Sequence, residues 1–152
     1  MNRVKEVILL GELSIIGLVL GWSAVVFFSL SFSYSLLKRF PIIRSKINAS
    51  TKKLLDYHCS LAIIATILAS FHGMNNLINI EFAAEYELLF PTGYASLLLI
   101  ILVTLIGILM KYYKKIIIKN KIFWLYTHVL LTVMLMGTIL LHIFSYLLLQ
   151  LQ

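Results

Sequence analysis

LLDYHCSLAIIATILASFHGMNNLINI, residues 54–80, is the stretch on which the fold turns. It carries a single charge, Asp56, near its start. It is also longer than the ~20 residues an α-helix needs to cross the hydrocarbon core of a bilayer. Yet it holds two imidazoles, His58 and His72, fourteen positions apart. A helix turns about 100° per residue, so fourteen residues make four turns less about 40°. Both rings therefore lie on one face, about 21 Å apart along the axis. A polar residue inside a membrane span is a functional candidate by default. The same spacing recurs in the last apolar run, at His128 and His142, and these four are all the histidines of the chain.

The composition excludes a soluble domain. Of 152 residues, 61% are hydrophobic and 12% charged, and the mean hydropathy is +0.99. Charge-poor runs cover 7–37 (interrupted by Glu12), 54–80, 88–110 and 122–152. The expectation is one all-α transmembrane domain over 1–152, with helices at about 7–37, 54–80, 88–110 and 122–150. Any nucleotide, flavin or protein substrate is then handled by another chain or at the membrane surface. Arg3 and Lys5 precede the first run as in a signal peptide. The run is too long for one and lacks a small-residue cleavage pattern, so it reads as a retained helix. Cys59 is the only cysteine. An intrachain disulfide, a cysteine-ligated iron–sulfur cluster and covalent haem attachment through C-x-x-C-H are excluded.

The net charge of +7 is sorted by loop and is no nucleic-acid signal. The first connection carries Lys38, Arg39, Arg44, Lys46, Lys52 and Lys53; the third carries Lys111, Lys114, Lys115, Lys119 and Lys121. The second has Glu81, Glu85 and Glu87 and no basic residue. The positive-inside rule places connections one and three in the cytoplasm and connection two outside. Both termini then lie outside a multi-pass cell-membrane protein, against the pull of Arg3 and Lys5. Helices two and four both start inside and run parallel. His58 and His128 share an inner level, and His72 and His142 an outer one.

One intramembrane histidine is ordinarily a hydrogen-bonded bundle residue. Four of them, equally spaced on two parallel helices, ask for a paired-ligand reading. Zinc gathers about four protein ligands at one centre, whereas each level here offers two imidazoles. Two axial imidazoles on a haem iron fit that inventory. With no cysteine attachment the haem is b-type. The expected fold is an antiparallel four-helix bundle with two b haems stacked between helices two and four. His58 and His128 hold the inner iron, His72 and His142 the outer.

Other residues take plainer readings. Ala65 and Ala69 lie near the histidine face and take little space. Gly93 and Gly107, also fourteen apart, either clear porphyrin edges or serve ordinary small-residue helix packing. Gly11, Gly17 and Gly21 lack that spacing and read as packing. Lys52, Lys53 and Lys121 read as topology markers rather than partners of haem propionates. Glu12 lies near the outer end of helix one, where a carboxylate reaches water. Glu81, Glu85 and Glu87 form a solvated loop. Cys59 reads as packing, and Trp22, Tyr112, Tyr113 and Trp124 as interfacial aromatics. No phosphate-binding glycine loop, Ser–His–Asp arrangement or H-E-x-x-H stands in the sequence.

His58, His72, His128 and His142 together resemble the transmembrane domain of the ferric reductase family. That family includes NADPH oxidases and the membrane haem subunit of bacterial methionine-sulfoxide reductase systems. There, one helix carries two haem-ligating histidines and the next but one carries the other two. WLYTH, residues 124–128, is similar to the family's Trp four residues before its third histidine. TGYASLLLIILVTLIG, residues 92–107, is similar to the intervening helix. Family members usually have six helices; this chain corresponds to four of them, without the first and the last, and loss of the first agrees with an external N-terminus. It also lacks the flavin and nicotinamide domains of many eukaryotic members.

The resemblance implies transmembrane electron transfer, as the membrane component of a ferric reductase-like oxidoreductase. Electrons would pass from a separate flavoprotein or quinol donor to an external acceptor, with two b haems as cofactors and the lipid bilayer as surroundings. A quinol-linked cytochrome b subunit ranks second, because Trp124 and the short loops fit it less well. A haem-free transporter or anchor, using the histidines as a proton or metal relay, is the alternative from another class.

Overall fold

A computed structural model of the chain describes residues 2–40, 51–78, 89–113, 120–149 and 151. Side chains before Ile15 lie outside the described residues, and with them the reading of Glu12. The side chains of Lys38 and Arg39 lie outside them as well. So do Arg44, Lys46, Glu81, Glu85, Glu87, Lys114, Lys115 and Lys119 of the connections. The described chain is helical: α1 spans Asn2–Arg39, α2 Thr51–Ile78, α3 Leu89–Tyr112 and α4 Lys121–Leu149. Each holds a segment long and apolar enough to cross a membrane, namely Ile15–Leu37, Lys52–Leu77, Pro91–Tyr112 and Lys121–Leu148. The shortest has 22 residues and reaches about 33 Å, against a core of about 30 Å. A multi-pass membrane protein is compatible with this set.

The helix ends follow from local chemistry. Phe40 leaves α1 directly before Pro41, whose ring disfavours helical backbone in the residue ahead of it. Pro91 sits in the first turn of α3, where a missing N–H removes no intrahelical bond. Within the spans, five hydroxyls exemplify satisfaction by the carbonyl one turn back. Thr66 donates to Ala62, Ser70 to Thr66, Ser96 to Thr92, Thr132 to His128 and Ser145 to Leu141. In a medium without water this closes the account of each hydroxyl inside its own helix.

Large apolar side chains stay exposed far from the helix ends, Leu98 and Leu130 at 61% each. In water such a belt drives association; against lipid tails it is the expected surface.

The chain divides into two compact units, Met1–His72 and Gly73–Gln152. In each, the helix that carries histidines runs antiparallel to the helix before it. Moving from His58 to His72 on α2 moves the contact from Ser31 to Gly17 on α1, fourteen residues the other way. Moving from His128 to His142 on α4 moves it from Gly107 to Gly93 on α3, again fourteen. Two residues mark the buried side of the histidine helices. Ala65 lies midway between His58 and His72, Leu135 midway between His128 and His142, and both are 0% exposed. A seven-residue step is two turns less about 20°, so ring, midpoint and ring share one stripe.

Candidate functional site

All four histidines are half-buried. In the first unit, Nδ1 of His72 lies 2.7 Å from the backbone carbonyl of Gly17. Nδ1 of His58 lies 3.0 Å from the carbonyl of Ser31 and 2.9 Å from its hydroxyl. That hydroxyl in turn donates to the carbonyl of His58 at 2.9 Å. In the second unit, Nδ1 of His142 lies 3.1 Å from the carbonyl of Leu89 and 3.3 Å from Thr92 Oγ1. Nδ1 of His128 is enclosed by protein atoms.

These contacts assign the tautomers. A carbonyl oxygen only accepts, so a ring nitrogen beside one must carry the proton. His58, His72 and His142 therefore donate from Nδ1–H, and in the neutral form of such a ring the lone pair lies on Nε2. Anchoring one nitrogen to a carbonyl while leaving the other unprotonated is the way proteins orient a metal-ligating histidine. It fixes the ring plane and makes the second nitrogen the better donor to a metal. In the metal-free protein, nitrogen NMR is expected to show these three histidines as protonated, pyrrole-type Nδ1 and unprotonated, pyridine-type Nε2. The opposite tautomer at any of them removes that ring from the ligand set.

The rings fit because glycines stand opposite them. A Cβ added at Gly21 would lie 3.0 Å from Cε1 and 3.1 Å from Nδ1 of His72. At Gly93 it would lie 3.0 Å from Cε1 and 3.4 Å from Nδ1 of His142, and at Gly107 3.4 Å from Cε1 of His128. For His72 and His142, Nε2 is the farthest of these three ring atoms from the glycine, at 3.5 and 3.8 Å. Gly93 thus clears space for an imidazole, a third reading beside porphyrin clearance and plain helix packing, whereas an alanine at Gly107 would make only an ordinary contact. Gly17 and Gly21, read from sequence as packing, both stand where α1 meets α2: the carbonyl of one lies beside His72 and the other leaves room for its ring.

Sequence reasoning also missed Ser31, Leu89 and Thr92. Three of the acceptors are backbone carbonyls, which every residue has and which leave no mark in a sequence. The one signal present was the interval from Gly17 to Ser31, fourteen residues like the histidines. Of the other residues singled out in the sequence, Ala65 is on the buried side and Ala69 and Cys59 are half-buried. Lys52, Lys53, Lys121, Trp22, Tyr112 and Tyr113 are exposed, and Trp124 packs edge-on against Phe123. Among the described residues no three His, Cys, Asp or Glu side chains gather into one group.

Comparison with family models, with curated proteins and with solved structures finds no match to this chain.

Proposed function

We propose that this chain conducts electrons across a membrane by holding two b-type haems, His58 with His128 at the inner iron and His72 with His142 at the outer. The observation that carries this reading is the anchored Nδ1. Three of four intramembrane imidazoles present the ligating tautomer, on two helices that repeat one fourteen-residue interval. Haem bound by such rings supplies a one-electron iron couple, and the protein's part is position and electronics. The Nδ1–carbonyl bonds hold three of the rings in one orientation, and Gly21 and Gly93 let His72 and His142 stand close to their supporting helices. A haem held by two such imidazoles would have no ligand place left for oxygen insertion, and the chemistry it would supply is electron transfer.

This reading takes the four apolar helices as an antiparallel bundle around the haems, with both termini outside. A cytoplasmic flavoprotein or membrane quinol is the donor, and the acceptor is external. The likeness to ferric reductase membrane domains supports this reading; it does not make ferric iron the substrate.

The haem-free proton relay fits the anchoring less well. A relay ring must take a proton at one nitrogen and release it at the other. A helix carbonyl accepts a hydrogen bond but passes no proton on, so three of the four rings are blocked at Nδ1. The test is purified protein expressed with haem supplied, assayed for haem content and titrated potentiometrically. The expected result is a b-type reduced-minus-oxidised spectrum resolving into two one-electron steps. Absence of that spectrum sinks the proposal.

A further inference from the structure

We propose that Ser31 is a positioning residue that tunes the His58 ligand electronically, and so sets the potential of the centre His58 helps to hold. This rests on the di-haem reading above. Ser31 is only 2% exposed. Unlike the span hydroxyls that bond within their own helices, its hydroxyl crosses to α2. There it accepts from His58 Nδ1–H at 2.9 Å and donates to the carbonyl of His58 at 2.9 Å. With the Ser31 carbonyl at 3.0 Å, one N–H is shared between two acceptors on one residue. At His72, by contrast, Nδ1 meets the Gly17 carbonyl, and glycine has no hydroxyl to add. At His142 the corresponding hydroxyl, Thr92 Oγ1, stands off at 3.3 Å and gives its own proton to Leu89, a weak contact by length.

The second unit shows that helix packing does not require the serine. Fourteen residues from His142 lies His128, and fourteen residues from its acceptor Leu89 lies Val103. Val103 therefore holds the place on α3 that Ser31 holds on α1, and it is buried with no hydroxyl to offer. A hydroxyl in that place at one ring is a choice about the ring. A second acceptor draws the Nδ1 proton outward and pushes electron density to Nε2. A more electron-rich ligand favours the ferric over the ferrous ion and lowers the potential.

The experiment is a potentiometric titration of the haem-loaded protein, comparing wild type with Ser31→Ala and Ser31→Thr. The step that vanishes in His58→Ala identifies the centre to watch. In Ser31→Ala that step is expected to move to higher potential with the other unmoved and haem content unchanged. The expected change is about threefold to tenfold in the reduction equilibrium, tenfold being about 59 mV for one electron. Ser31→Thr keeps the hydroxyl and returns the step towards wild type. No shift, a downward shift, or an equal shift of both steps overturns the role of Ser31 and leaves the di-haem reading standing. A wild-type protein without any b-type spectrum overturns both.

Discussion

Replacing His72 by alanine is expected to remove one haem of two and leave the other in place. Ligation and folding come apart at this residue. In the first unit the ring bonds to the carbonyl of Gly17, and loss of such a bond costs about 0.5–1.5 kcal/mol. The carbonyl keeps its place in the ladder of α1, so no buried group is stranded. The helix itself gains from alanine. The fold therefore survives, while an iron held at that level, as proposed, would lose half its protein ligands. Haem content per chain should fall by half, and the spectrum that remains should titrate as a single step. The space vacated beside Gly21 is the size of an imidazole, so added free imidazole should restore part of the missing haem. Unchanged haem content excludes His72 as a ligand. Equal loss of both haems, without rescue, means that the ring holds the fold and not an iron.

The sequence carries the membrane spans plainly, because lipid demands long apolar runs and leaves little freedom in where they lie. The helices still reach beyond those runs. α1 begins at Asn2, ahead of the first apolar residues, and α2 at Thr51, ahead of Leu54. Backbone hydrogen bonding continues through Lys52 and Lys53 as readily as through leucine. The histidines were legible too, since imidazole is conspicuous among leucines. What surrounds them was not. The acceptors at Gly17, Ser31 and Leu89 are main-chain oxygens, invisible to residue type. No fourteen-residue interval joins the glycines of the first helix, and the reason is physical. The interval exists on α1, but it links a glycine to a serine, because what repeats is the carbonyl. On α3 the interval was visible as Gly93 and Gly107, because both stand opposite a ring, closely at Gly93 and at ordinary contact distance at Gly107.

The glycines give the second large effect, and its size should follow distance. Alanine at Gly21 would bring its Cβ to 3.0 Å from Cε1 and 3.1 Å from Nδ1 of His72. The ring cannot retreat without lengthening its 2.7 Å bond to Gly17. Overpacking of this kind costs about 1–3 kcal/mol, against about 1 kcal/mol gained in helix propensity. The net loss of stability is modest, whereas a displaced ring loses the orientation that ligation needs. Gly21→Ala is therefore expected to cost haem from the centre that His72→Ala abolishes, and Gly21→Val to cost more. Gly93→Ala should act in the same way on His142, though less, since only Cε1 lies at 3.0 Å and Nδ1 is at 3.4 Å. Gly107→Ala meets His128 at 3.4 Å, an ordinary contact, and should retain both haems. Gly137 has nothing within 4 Å of an added Cβ, so Gly137→Ala should keep both haems and unfold no more easily than wild type. The measurement is haem content against thermal unfolding in detergent for all five variants. Parallel falls in both quantities across the series, or damage from Gly137→Ala equal to that from Gly21→Ala, mean that the glycines serve helix packing in general. A loss of haem graded by distance, with unfolding little changed, means that they exist to seat the rings.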